Sequence, residues 1–188
     1  IQLGLTPIFC DVNTDNYSFE INHLNEISQK NSDIKMVFVT HLLGLPAQIE
    51  IYKEIVPNAL FIEDVCESHG ATFKGKRLGA YGLMSNFSFY YAHHMSTIEG
   101  GMVCTDNEDI YQMLRMFRSH GMVREATDEK LRSKYALTYP SLNPDFIFAY
   151  PGFNVRNTEI GAIIGRNQLK RLDKNNQKRI KNHEIFLD

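Results

Sequence analysis

The 188-residue sequence carries 20 Lys plus Arg against 22 Asp plus Glu, a net charge of −2, with 43% hydrophobic and 22% charged residues. That composition belongs to a folded domain with a full core, and it excludes a disordered tail, a collagen-like array and a disulfide-stapled miniprotein. A near-neutral chain has no general electrostatic attraction to nucleic acid or an anionic membrane surface, and no apolar run approaches the roughly 20 residues of a membrane span. Cys10, Cys66 and Cys104 are widely spaced and form no C-x-x-C pair, so reduced thiols in a cytoplasmic protein are expected, without a metal site or disulfide frame. The sequence opens at Ile1 and closes at Asp188 in a polar, helix-like stretch, and a piece of a longer protein is expected.

In chain order, residues 7–12 predict a strand and residues 19–30 a helix with Ile21, Leu24 and Ile27 on one face. Residues 35–40 form a compact strand pattern, 47–56 a helical one and 60–65 another strand. This β-α-β-α-β rhythm predicts a parallel sheet with helices on both faces, joined by right-handed crossovers. Residues 86–91 and 101–105 predict two further strands. The gap of about nine residues between them is too short for a helical crossover, so this pair is expected to be antiparallel. From Asp106 a helix is predicted through Ser119, with Ile110, Leu114 and Phe117 as its apolar stripe. Residues 121–152, with Pro140, Pro144, Pro151 and Gly152, read as a long irregular excursion. From Asn157 a helix is predicted with Ile160, Ile163, Ile164 and Leu172 on one side, turning polar beyond Lys174.

Ligands of open α/β sheets sit at the carboxyl ends of the strands, and Asp64 lies at the end of the third predicted strand. Alone, such a residue is more often a turn or cap. Here Glu63, Asp64 and Glu67 stand close together, followed by Gly70 and a turn at residues 74–79. A strand-end acid can hold a protonated ring nitrogen by a charge-assisted hydrogen bond. Glu67 faces the same side if that stretch turns helically. Residues 87–101 then offer Ser88, His93, His94, Ser96, Thr97 and Glu99 between two strands, closed by Gly100 and Gly101. Hydroxyls and exposed backbone N–H groups suit a phosphate. The adjacent histidines also suggest a metal, but neighbouring side chains diverge, no H-x-x-x-H spacing occurs and no cysteine lies nearby.

Residues 63–71 (Glu-Asp-Val-Cys-Glu-Ser-His-Gly-Ala), the Gly79 turn, Ser88-Phe-Tyr and the run Glu99 to Val103 together resemble the DegT/DnrJ/EryC/StrS sugar aminotransferases. Residues 153–160 and 39–44 resemble two further signatures of that family. The resemblance implies an aspartate-aminotransferase-like α/β fold, fold type I, with a mostly parallel sheet and helices on both faces. Residues 1–172 would be the central part of the large domain, and 173–188 a helix leading to a small carboxyl-terminal domain outside this sequence. The implied cofactor is pyridoxal 5′-phosphate or pyridoxamine 5′-phosphate.

One departure from the family pattern directs the functional expectation. Five residues after the signature serine, the aminotransferases carry the lysine that anchors the cofactor covalently; here that position is His93. Imidazole forms no stable covalent link to the cofactor aldehyde. A histidine there resembles the family's sugar 3-dehydratases, and the absence of clustered cysteines resembles the iron–sulfur-free ones that act on a GDP-linked sugar. The resemblance then implies that Asp64 holds the pyridine nitrogen, Ser88 the phosphate, and Asn154 the phosphate of a neighbouring subunit's cofactor in a homodimer with shared active sites. Glu67 is placed near the cofactor's exocyclic group. His93 is expected as general base and acid, since its ordinary pKa of about 6.5 suits proton transfer near neutrality. His120 matches a second histidine of that branch and is equally readable as a cation at a helix C-terminus. The expected substrate is a nucleotide-linked 4-keto-6-deoxy sugar, dehydrated at its 3-position for polysaccharide biosynthesis, with glutamate as amine donor. Two alternatives stay open: a nucleotide-sugar aminotransferase, and a non-catalytic sugar-nucleotide-binding relic of the fold. His69 and His94 are expected to be structural. Arg156 is readable as a contact to a sugar-nucleotide phosphate or as an anchor of its own loop.

Overall fold

The structure, a computed structural model, describes residues 3–187. Its helices are α1 (Ile21–Lys30), α2 (Ile49–Ile55), α3 (Glu108–Phe117), α4 (Glu129–Thr138) and α5 (Glu159–Leu187). The strands are β1 (Met36–Thr40), β2 (Leu60–Asp64), β3 (Thr72–Phe73), β4 (Lys76–Arg77), β5 (Met84–Ser88) and β6 (Gly101–Cys104). The main sheet runs β1-β2-β5-β6, with β3 and β4 as a small separate hairpin. β1, β2 and β5 are parallel and β6 is antiparallel to β5, as expected. The register pairs Thr40 with Asp64 and Asp64 with Asn86, so the parallel strands end together along one sheet edge.

The residue types explain the elements. Alternation in β1 buries Val37 and Val39 while Met36 and Phe38 stay exposed, the period-two signature of a strand covered on one face. Glu20 caps α1 by accepting the His23 N–H at 2.7 Å, and Leu24 and Ile27 supply its buried face. These pack with Val37, Val39, Ile49, Tyr52 and Phe61 into the main core. Tyr52 is wholly buried, and its hydroxyl lies 2.9 Å from Ser18 Oγ and 3.0 Å from the Phe19 carbonyl. A second core of Met116, Val123, Ala126 and Ile147 joins α3 to the segment that follows it.

Several elements differ from expectation. Residues 7–12 form no strand; Val12 makes only an isolated bridge to Phe19, across a turn with Tyr17 at positive φ, and among the described residues no neighbouring strand runs beside them. The third main-sheet strand along the chain, β5, begins and ends earlier than predicted, leaving residues 89–91 to the loop. In α3 the buried side chains are Gln112 and Met116, while Ile110, Leu114 and Phe117 are half-buried. Gln112 tolerates burial because its amide accepts the Thr127 N–H at 2.8 Å and donates to Glu108 and Thr127 Oγ1. The excursion 121–152 is not irregular throughout: Asp128 accepts the Lys130 N–H at 2.8 Å and starts α4.

α5 runs unbroken through residues 172 and 173. Of its predicted apolar side, Leu172 is buried and Ile164 half-buried, whereas Ile160 and Ile163 are exposed, since only part of the helix touches the sheet body. Asn176 Nδ2 donates to the His69 carbonyl at 2.8 Å and Arg77 pairs with Asp173 at 3.1 Å, fastening the middle of the helix. Among the described residues no helix is long and apolar enough to cross a membrane.

Tyr52→Phe removes one buried hydroxyl whose partners stay in place, and should cost about 1 kcal/mol of unfolding free energy. Tyr52→Ala leaves a cavity in the core and should cost about 3–5 kcal/mol. Urea unfolding of the full-length protein measures both, and equal losses would show that packing around the ring is unimportant.

Candidate active site

Every parallel strand of the main sheet delivers a polar side chain at or just beyond its carboxyl end. β1 is followed by His41, β2 ends in Glu63 and Asp64, and β5 ends in Ser88. Asp64 is half-buried. Its Oδ1 accepts the Cys66 N–H at 3.0 Å and Asn86 Nδ2 at 3.1 Å, and its Oδ2 has no partner among the described residues. One oxygen is thus fixed and the other is available to a donor on a ligand. Burial first, and then the neighbouring Asp64, push the Cys66 thiol up to about 11, so it stays neutral beside that carboxylate.

Successive residues of a strand face opposite ways, and Glu63 accordingly points into the interior, fully buried. Its Oε2 accepts Gly79 N–H at 2.7 Å and faces His41 Nε2 at 2.9 Å; its Oε1 accepts the Tyr81 N–H at 2.6 Å and the Gly82 N–H at 2.5 Å. His41 Nδ1 accepts the Ala47 N–H at 3.0 Å, which places the ring hydrogen on Nε2, toward Glu63. Burial alone would raise the Glu63 pKa, but the His41 hydrogen bond and the three backbone N–H groups outweigh it and hold the carboxyl below its ordinary value. Sequence reading gave this pair no role: 22 residues separate its members, and only the β1–β2 register makes them neighbours.

After Asp64 the chain makes two successive turns, Ser68 N–H to Val65 and Ala71 N–H to Ser68, so the helical path that would put Glu67 on the same side as Asp64 is not taken. Glu67 is half-buried and accepts the Leu43 N–H at 3.2 Å. At the end of β5, Ser88 Oγ accepts the Tyr90 N–H at 3.3 Å, which leaves its own hydrogen for a ligand. His93 is half-buried in the loop between β5 and β6, its ring 6.0 Å from His69 and 5.8 Å from Tyr90. His93 and His94 line a cleft of about 290 Å³ against Asn175, Asn176 and Arg179 of α5. Among the described residues no three His, Cys, Asp or Glu side chains converge as metal ligands.

His120 and Asn154 form a second group. His120 follows α3 with φ of 60° and donates its N–H to the Phe153 carbonyl at 2.8 Å, and Ser119 bridges to Asn154. Gly121 has φ of 77°, and a Cβ there would lie 1.9 Å from the Tyr150 carbonyl oxygen. Only glycine permits this crossing. Asn154 is exposed and accepts Arg156 Nε–H at 3.0 Å; that contact fits the reading of Arg156 as an anchor of its loop. The strip reaches the first group near Gly100, where a Cβ would lie 2.8 Å from Asn157 Nδ2.

His69, 2% exposed, packs among Phe87, Phe89, His93 and His94 with both ring nitrogens unpartnered among the described residues. Burial, and then the nearby His94 and His93, lower its pKa to about 4. Burial, Arg179 and His93 lower that of His94, with Glu67 opposing.

The family model described as the DegT/DnrJ/EryC1/StrS aminotransferase family matches residues 1–188. The chain belongs to this family. It is 36% identical over 189 residues to a GDP-4-keto-6-deoxy-D-mannose 3-dehydratase of Escherichia coli O55:H7, covering 100% of this chain and 48% of that protein. A crystal structure of a mutant GDP-4-keto-6-deoxymannose-3-dehydratase with bound GDP-perosamine superposes with TM-score 0.84 at 34% identity, again over 100% of this chain and 48% of the other. A structure of the same enzyme with a trapped PLP–glutamate geminal diamine has TM-score 0.75 at 33% identity, over 88% of this chain and 42% of the other. The chain thus spans about half the length of the curated relatives it matches. The α/β architecture is that of the DegT/DnrJ/EryC1/StrS enzymes, as expected.

The buried His69 gives a pH prediction. An unfolded histidine takes up a proton near pH 6.5 and the folded one near 4, so stability is constant above that window and falls as the pH drops through it. The loss by pH 4 should be on the order of 3 kcal/mol. Glu63 acts in the same direction lower down: its depressed pKa gives stability that is present above about pH 4.3 and lost as pH falls through the folded value. Urea unfolding of the full-length protein between pH 7 and 4.5 should show the decline, and His69→Phe should flatten it. An unaltered slope in His69→Phe would mean that His69 is protonated in the folded state.

Proposed function

We propose that the full-length protein is a pyridoxamine-phosphate-dependent 3-dehydratase of a GDP-linked 4-keto-6-deoxy sugar, a lyase of deoxysugar and polysaccharide biosynthesis that draws its amino group from glutamate. The observation that carries this is His93. It stands five residues beyond Ser88, where the resemblance places a lysine in the aminotransferases, in the loop beside the Asp64 edge. Support comes from the relatives at about half-chain coverage, one of which holds a GDP-linked sugar and another a PLP–glutamate adduct. On this reading residues 1–172 are the central part of the large domain and 173–188 lead toward a small carboxyl-terminal domain. The protein works in the cytoplasm as a homodimer with shared active sites.

The residues present fit the cofactor. Asp64 has one oxygen pinned and one without a partner, which suits a protonated pyridine nitrogen, and Ser88 has a hydroxyl hydrogen to give a phosphate. When bound, pyridoxamine phosphate supplies the amine that condenses with the 4-keto group and the ring that takes up the released electron pair. Asp64 keeps the proton on the ring nitrogen, and Ser88 orients the phosphate. Asn154, exposed at the surface, reaches the phosphate across the dimer. Glu67 lies toward the exocyclic group. His93 moves protons at the reacting carbon and at the departing 3-hydroxyl oxygen, with His120 at the sugar side. The hydroxyl leaves as water, and hydrolysis releases a 3-deoxy-4-keto sugar and ammonia; the two electrons of this net reduction would come from the cofactor's aminomethyl group, which glutamate would restore on becoming 2-oxoglutarate.

The test is incubation of the full-length protein with GDP-4-keto-6-deoxymannose, pyridoxamine phosphate and glutamate. Stoichiometric ammonia and a 3-deoxy product are expected; a 4-amino sugar without ammonia would overturn the assignment. His93→Asn and His93→Lys should each lower ammonia release by about 10²–10⁴-fold, the range of a lost general acid–base. Retained dehydration in both would show that His93 does not carry the protons.

A further inference from the structure

The turn after β1 has an unusual backbone. Leu43 adopts φ 54° and ψ 24°, followed by Gly44 at φ 89°. A left-handed leucine is disfavoured by contact between its Cβ and the backbone, and its side chain, 72% exposed, gains little packing in return. What the conformation does achieve is the direction of two consecutive N–H groups. The Leu43 N–H points to Glu67 Oε2 at 3.2 Å, and the Gly44 N–H to Ser68 Oγ at 3.1 Å. The Ser68 hydroxyl hydrogen in turn goes to the His41 carbonyl, so one buried side chain, 2% exposed, holds both ends of the turn. The His41 N–H closes the arrangement on the Asp64 carbonyl at 3.0 Å.

We propose that Ser68 is a positioning residue that, through the left-handed turn at Leu43 and Gly44, holds the Glu67 carboxylate at the active-site edge. The inference rests on the reading of Glu67 given above and deepens it. Ser68 itself touches neither cofactor nor substrate. It stabilises a backbone conformation that the chain would otherwise leave, and the yield of that conformation is an N–H aimed at Glu67. With the hydroxyl removed, the Gly44 N–H loses its acceptor, the turn relaxes toward negative φ at residue 43, and Glu67 loses its backbone partner.

The experiment uses the full-length holoenzyme in five forms: wild type, Ser68→Ala, Glu67→Gln, the double variant and Ser68→Thr. In ¹⁵N-leucine-labelled protein, Ser68→Ala should move the Leu43 amide proton upfield, in the same direction as Glu67→Gln. Ser68→Ala should lower kcat for ammonia release about tenfold, as expected for one lost buried hydrogen bond, with KM for the sugar nucleotide changed less than twofold. In the Glu67→Gln background the same substitution should cost nothing further, because residues acting through one group are not additive. Ser68→Thr, which keeps the hydroxyl, should restore both readouts. Gly44→Ala is the second route to the same turn: a Cβ there meets no atom within 4 Å, so only the positive φ is penalised, and it should reproduce the Ser68→Ala amide shift and rate loss. Additive losses in the double variant, or a Leu43 amide unmoved by Ser68→Ala and Gly44→Ala, would overturn the proposal. If wild type releases no ammonia, the dehydratase reading fails, while the Leu43 amide still decides whether Ser68 holds the turn to Glu67.

Discussion

The arrangement of the site depends on a buried carboxylate that has no cation beside it. Glu63 is held by His41 Nε2–H and the N–H groups of Gly79, Tyr81 and Gly82. Because His41 Nδ1 is already an acceptor, its ring is neutral, and the charge of Glu63 is met by dipoles alone. A charged group buried in this way persists only when every lone pair is matched. Those donors come from two places in the chain, the turn after β1 and the turn at 79–82, and Ala47 on the approach to α2 orients the first by donating to His41 Nδ1. One side chain therefore fixes the relative positions of the segments that frame Asp64. The adjacent residue, on the opposite face, is the one left with an oxygen to offer.

This division of labour between neighbours explains why some of the site was legible in the sequence. The placement of Asp64, Ser88 and the His93 loop at or after strand ends followed from local hydrophobic patterns, and ligands of such sheets gather at those ends. The antiparallel turn-back at β6 was expected from a predicted gap of about nine residues, which the earlier end of β5 widens to residues 89–100. The His41–Glu63 pair and the Ser68 staple were not legible. Each joins residues more than twenty positions apart, and the pairing exists only once the β1–β2 register is set. Residues 39–44, which resemble a family signature, have a physical reason for their pattern: they place His41 against Glu63 and the Gly44 N–H on Ser68.

The errors in secondary structure have similar causes. Residues 7–12 have strand-like composition, but composition cannot supply a neighbour to pair with, and hydrogen bonds to a partner are what make a strand. In α3 the buried Gln112 breaks the apolar stripe because its amide is satisfied by Thr127 and Glu108, partners that an amphipathic pattern does not register. The reverse holds for α5, where Ile160 and Ile163 follow helical spacing and yet stay exposed. Periodicity shows which face is apolar and says nothing about what meets it.

The contact at Gly121 has a wider consequence. The backbone at Gly121 touches the Tyr150 carbonyl, and the Gly152–Phe153 backbone returns to His120. The intervening chain, including α4, is therefore a closed loop whose two ends meet at one fixed point. The backbone crossing itself sets the positions of His120 and Asn154 on either side of that point, while Val123, Ala126 and Ile147 pack the loop onto Met116 of α3. Exchanges on the exposed surface of the loop leave both residues aimed, provided that the glycine and this packing are kept.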